Sequence, residues 1–169
     1  MTITPASFRA LFGSFPTAVA VVTAAGENGA PKGLTCTAIA AVSADPPHLL
    51  VCIDELSSTR CALERSGGFA VNFLAEGGEQ ISDRFAGRGD RKFDGLKWSP
   101  SGVAFGAPVL EDYVLGTAEC VVVRQIRSGD HHVFIGRLEA AHVHRRRPLL
   151  HHRRVYSVWD QLAELPSHS

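Results

Sequence analysis

Apolar positions in this chain fall mostly in short runs, with glycine, proline and asparagine between them. Residues 18–23, AVAVVT, are apolar and β-branched almost throughout, the pattern of a strand buried on both faces. Glu27-Asn28-Gly29 follows, and Asn-Gly tolerates the positive φ angles of a tight hairpin. The return strand is predicted over 31–41. Asp45-Pro46-Pro47 then turns the chain into a further apolar strand over 49–53. More strands are predicted over 69–74, where Asn72 stands inside an apolar run, and over 108–113, 116–126 and 131–144. Arg127-Ser128-Gly129-Asp130 joins the last two as a hairpin, and weaker strand text recurs at 148–150 and 155–159.

Helical text is sparse. Phe8, Leu11 and Phe12 fit a short helix over 5–12, with Thr4 as N-cap, Pro5 as first helical residue and Gly13 as stop. Ser57 or Ser58 caps a helix over 59–66 that Gly67-Gly68 ends. A third helix, over 79–85, carries Ile81 and Phe85 on one side. The polar, glycine-punctuated stretch 87–98 reads as a surface loop of the kind that contacts ligands. Many strands with hairpin turns and few helices predict an antiparallel barrel or sandwich rather than βαβ units. The chain reads as one domain over 1–160 with a frayed C-terminal tail over 161–169.

Composition narrows the function. Seventeen basic and seventeen acidic residues among 169 leave no net charge, so nothing favours nucleic acid or an anionic membrane. No apolar run approaches the roughly 20 residues of a bilayer span. The opening MTITPASFRALF has no basic region or apolar signal core, so a mature, cytoplasmic protein is expected. Cys36, Cys52, Cys61 and Cys120 form no zinc or C-x-x-C spacing and are expected to be free thiols.

The chemistry gathers in residues 33–59. Thr35, Cys36, Thr37, Ala38, Ala40 and Ala41 avoid bulk where a core would use it, as when something lies against a strand's backbone. Thr35, Thr37 and Ser43 alternate, so a continuous strand carries their hydroxyls on one face. The cluster Ser57-Ser58-Thr59 at a helix start suits a phosphate. A flavin ring against the backbone, with its phosphate by the cluster, satisfies both features. No G-x-G-x-x-G, phosphate-loop lysine motif or G-x-S-x-G competes with that reading. His142, His144, His151 and His152 are too loosely spaced for a metal, and Arg145-Arg146-Arg147 would repel one.

Several segments in order carry a resemblance. They are 15–23 (FPTAVAVVT), 33–47, 69–74, Arg84-Phe85-Ala86, Lys92-Phe93-Asp94-Gly95, and Gly129-Asp130-His131 with Gly136. Together the chain resembles the short-chain flavin reductases, the NAD(P)H:flavin partners of two-component monooxygenases. The resemblance implies a mainly β fold, a six-stranded antiparallel Greek-key split barrel with a few short helices, and a homodimer. It implies hydride transfer from NADH or NADPH to FAD or FMN, and delivery of reduced flavin to a monooxygenase. Thr35, Cys36, Thr37 and Ala38 would meet the pyrimidine side of the flavin, with Cys52 and Asp54 beside them and Asp54 near the ribityl chain. Ser57, Ser58 and Thr59 would lie by the phosphate, and Phe85, Ala86 and Lys92 by the outer cofactor. His131 would stand at the nicotinamide, helped by Tyr156, while His132, on the opposite face, should tolerate alanine. Ala38 and Ile39 stand where the family often has Ser or Asn with an aromatic, so backbone groups must serve there. The alternatives are a non-catalytic flavin or haem binder on the same barrel and a pyridoxamine-phosphate-oxidase-like enzyme.

Overall fold

The computed structural model describes residues 3–159, and the tail predicted over 161–169 lies outside the described residues. The chain opens with α1 (Pro5–Phe12), β1 (Thr17–Ala18) and β2 (Ala20–Ala25). A turn at Glu27–Gly29 leads to β3 (Pro31–Cys36), β4 (Ile39–Ala44) and β5 (Pro47–Asp54). Then come α2 (Ser58–Ser66), β6 (Gly68–Leu74), α3 (Glu79–Ala86), β7 (Trp98–Pro100) and β8 (Pro108–Leu110). The long strands β9 (Val114–Ser128) and β10 (His131–Val143) precede β11 (Leu149–His152) and β12 (Val155–Val158).

Packing radiates from β2, every residue of which is buried. Ala20, Val22 and Ala24 face a core containing Val51, Ile53, Leu63, Phe69, Val71 and Phe134. Val21 faces a second core with Leu74, Ile81, Phe85, Phe93, Leu110 and Leu149. An uninterrupted apolar run is what a strand covered on both sides needs. Asn72 fits this interior because its amide is fully engaged. Nδ2 donates to Val21 O (3.1 Å) and Thr23 Oγ1 (3.2 Å), and Oδ1 accepts from Leu110 N at 2.8 Å.

The main sheet is antiparallel with strand order β3-β2-β6-β9-β10-β5-β4. One strand was expected over 31–41, but it breaks at Thr37-Ala38. The arm before the break pairs with β2, and the arm after it pairs with β5 at the opposite edge of the sheet. Cys52 N donates to Ala38 O at 3.0 Å and takes over the chain at the bend. The sheet must therefore curl until a single segment supplies both of its outer strands. Counting β3 and β4 as arms of one bent strand leaves the six strands of a split barrel. Ser43 thus leaves the face that carries Thr35, and the three hydroxyls are not aligned.

Smaller departures have local causes. The strand predicted over 108–113 is short and pairs with β7, which emerges from the end of the predicted loop. The hairpin after β2 is a five-residue connection in which Asn28 (φ 53°) and Gly29 (φ 75°) take the left-handed angles. β1, β11 and β12 form a separate three-stranded sheet. Helix α1 starts as predicted, Thr4 Oγ1 accepting from Ser7 N at 3.1 Å, yet it buries no residue. Among the described residues no helix is long and apolar enough to cross a membrane.

Candidate functional site

Two segments build the start of α2. Asp54 ends β5, and its Oδ1 accepts from Leu56 N at 2.7 Å, turning the chain toward the helix. Ser57 caps that helix, its Oγ accepting from Thr59 N at 3.2 Å. The amides and hydroxyls of 57–59 and the positive end of the helix dipole therefore open outward together. Thr59, Ala62 and Leu63 are buried, which anchors α2 to the first core.

Across from α2 stands the end of α3 and the loop that follows it. Phe85 is buried and packs edge-on against Phe93, with ring centroids 4.9 Å apart and planes at 90°. Gly33 on β3 makes this possible, since a Cβ there would lie 2.6 Å from Phe85 Cε1. Lys92 reaches back over the ring edge, and its Nζ donates to Phe85 O (2.9 Å) and Gly33 O (3.2 Å). Burial pushes the Lys92 pKa down, with Asp90 opposing that shift. Lys32 pairs with Asp90 at 3.1 Å beside it.

Between these walls lies a cleft of about 570 Å³ whose lining includes Thr35, Asp54, Ser57, Ser58, Thr59, Phe85, Ala86, Arg88 and Lys92. Its volume is in the range of sites that enclose a cofactor. Three hydroxyls, a helix N-terminus, an arginine and a lysine around one cleft are an anion-binding set. Leu34 and Thr35 of β3 also line it, and Ala86, Gly87 and Gly89 add little bulk. The donor set and the shape both fit a flavin nucleotide.

His131 opens β10 and pairs directly with Asp54 on β5. Residues so opposed project from the same face, and Asp54 lines the cleft while His131 itself lies outside its lining. Its Nδ1 lies 2.8 Å from Asp130 Oδ1, and Asp130 O accepts from Glu55 N at 2.9 Å. The hairpin tip is thus tied to the segment that leads into α2.

The flavin reductase like domain matches residues 12–160. The chain belongs to that family. A flavin reductase (NADH) from Kitasatospora aureofaciens is 43% identical over 155 residues, covering 90% of this chain and 81% of that protein. The reductase subunit HsaB of a flavin-dependent monooxygenase of Mycobacterium tuberculosis is 34% identical over 169 residues, covering 98% and 88%. The NADH:FAD oxidoreductase SgcE6 of Streptomyces globisporus C-1027, solved with NAD and FAD fragments, superposes with a TM-score of 0.84. It is 28% identical, over 100% of this chain and 99% of that one.

Of the residues the family resemblance singled out, eight line the cleft together: Thr35, Asp54, Ser57, Ser58, Thr59, Phe85, Ala86 and Lys92. Cys36, Thr37, Ala38 and Cys52 meet instead at the strand break, outside its lining. Cys36 Sγ donates to Ala38 O (3.7 Å) and Cys52 O (3.6 Å). Burial pushes the Cys36 thiol up to about 11, and burial raises Cys52 as well, so neither offers a thiolate near neutrality. Tyr156 is held on α3, its Oη donating to Asp83 Oδ1 at 2.7 Å and lying 2.9 Å from Ser82 Oγ. Its hydrogen-bond partners on α3 are distinct from Asp130, the partner of His131.

His132 lies on the other face of β10, as strand alternation predicts. Only 9% of it is exposed, and it stacks on Phe134. Sequence reasoning missed Leu34, Leu56, Gly87, Arg88, Gly89 and Asp90, which complete the cleft. The glycine-punctuated loop signalled most of these as a stretch without marking the residues. The histidines once weighed as metal ligands are scattered, and no group of described residues is placed to hold a metal.

Proposed function

We propose that this chain is an NAD(P)H:flavin oxidoreductase that supplies reduced FAD or FMN to a monooxygenase partner. One observation carries the reading: the hydroxyls and helix N-terminus of 57–59 share one cleft of about 570 Å³ with Thr35, Phe85, Arg88 and Lys92. A bound flavin would supply the redox chemistry of hydride acceptance from the nicotinamide. The protein's share is positioning. Ser57, Ser58 and Thr59 hold the phosphate, Thr35 and the backbone at the strand break orient the ring, and Lys92 braces Phe85 against β3. His131, paired with the cleft-lining Asp54, would orient the nicotinamide for hydride transfer. No nucleophile is needed, and the buried, protonated cysteines agree with that.

A homodimer belongs to the same proposal. β4 is a sheet edge whose Val42 is 46% exposed, and unpaired edges with apolar side chains favour association. Beside it lies an apolar groove of about 380 Å³ lined by Ile39, Leu49, Phe73, Leu138 and Val143. Thr117 Oγ1, also in that groove, is buried with no hydrogen-bond partner. Light scattering should give twice the 18.1 kDa chain mass; a monomer at micromolar concentration overturns the dimer.

Stopped-flow absorbance with NADH or NADPH and either flavin tests the enzyme. Flavin bleaching dependent on the nicotinamide is expected. Its absence with all four combinations overturns the proposal.

A further inference from the structure

A polar cluster around the buried His132 has no part in the chemistry above. Gln125 on β9 donates through Nε2 to Glu64 Oε1 on α2 and to His132 Nδ1 on β10, the latter at 2.7 Å. Glu64 Oε1 lies 3.7 Å from His132 Nδ1, and its other oxygen accepts from Arg60 Nη1 at 2.6 Å. Arg60 Nε in turn donates to Glu55 O at 2.8 Å, and Glu55 also pairs with Arg127 on the hairpin at 2.9 Å. The Gln125 amide nitrogen can only donate, so this contact uses His132 Nδ1 as its acceptor.

We propose that Gln125, His132 and Glu64 are a positioning network that holds the β9–β10 hairpin, and with it His131, in register with α2. This rests on the role given to His131 in the proposed function. The physical case is one of unequal anchoring. α2 buries Thr59, Ala62 and Leu63 and stays in place without help. Residues 123–130 of the hairpin are exposed, including Val123 and Ile126 at 45% and 46%. Few buried contacts hold that segment, which is the condition for local opening. The network joins this loosely packed tip to the fixed helix, and His131 is adjacent to the residue it grips. Its buried ring also explains why a histidine occupies a core-facing position: the stack on Phe134 and the acceptor at Nδ1 are both used.

The network therefore acts on the nicotinamide side and spares the flavin side. In flavin-free protein, His132→Ala should speed hydrogen–deuterium exchange in residues 126–132 by tenfold or more, leaving α2 amides unchanged. In turnover it should raise KM for NADH three- to tenfold, with kcat and flavin Kd within twofold of wild type. His132→Asn, whose Oδ1 can accept at the Nδ1 position, should restore both readouts. Gln125→Ala, at an exposed position, should reproduce the His132→Ala effects if that variant folds poorly. Unchanged hairpin exchange in both alanine variants overturns the proposal. So does a KM that stays put while exchange rises, or a loss of flavin affinity instead of nicotinamide affinity. A wild-type protein inactive with every flavin and nicotinamide overturns the functional reading instead, and the exchange measurement still decides the anchoring.

Discussion

Gly33→Ala puts the packing of the cleft wall to the test. The added methyl would lie 2.6 Å from Phe85 Cε1, 2.9 Å from Phe85 Cδ1 and 3.3 Å from Phe93 Cζ. Phe85 has no free direction, since only 1% of it is exposed and Phe93 meets it edge-on. Phe93 is itself backed by Trp98, 5.7 Å away between centroids. Overpacking of this kind typically destabilises by about 1–3 kcal/mol. At about 2 kcal/mol, Tm should fall by about 4–8 °C in a chain of this size. The strain also moves the cleft, because Phe85 and Ala86 line it and Lys92 is bonded to Phe85 O. Flavin affinity should drop about tenfold, which corresponds to about 1.4 kcal/mol. Thermal denaturation and fluorescence titration with FMN and FAD measure the two effects. Adding Phe85→Leu should recover part of the Tm loss, since the second change vacates the space the first one fills. Gly102→Ala is the control, with no atom near enough to meet the methyl. If Gly33→Ala keeps wild-type Tm and flavin affinity, the close packing of β3 on α3 does not shape the cleft.

Three further outcomes are expected. His131→Ala should raise KM for NAD(P)H roughly tenfold or more, at about 1.4 kcal/mol per decade, with flavin Kd unchanged; steady-state kinetics and titration separate the two. Asn72→Leu strands Leu110 N and removes the donors to Val21 O and Thr23 Oγ1, so urea denaturation should show a loss of about 1–3 kcal/mol or more. Burial holds the Cys36 thiol at about 11 and Cys120 at about 12, against 9.0 when free. The folded state therefore keeps protons that the unfolded chain releases, and stability is full below pH 9 and declines as pH rises through 9 to 12. Cys36→Ala should flatten part of that decline in denaturation midpoints measured across the window; an unchanged slope would contradict the burial of this thiol.

Much of this molecule is readable from local patterns, because local physics decides those features. The apolar run before Thr23, the Thr4 and Ser57 caps, the Asn28-Gly29 turn and the β9–β10 hairpin each depend on neighbours a few residues away. The order of small motifs also pointed to the flavin reductase family and to eight residues of the cleft. What the sequence does not express is where the curled sheet brings its edges. No glycine or proline marks a break at Thr37-Ala38, yet the chain crosses there from one edge of the sheet to the other. That bend alone separates Ser43 from Thr35 and draws Cys36, Ala38 and Cys52 into a local knot beside the cleft. His132 shows the same limit: alternation places it opposite His131, but the β9 pairing brings Gln125 to it and only the docking of α2 brings Glu64. Such contacts join residues 61 or more positions apart in the case of Glu64 and Gln125, and their existence depends on tertiary closure rather than on local preference.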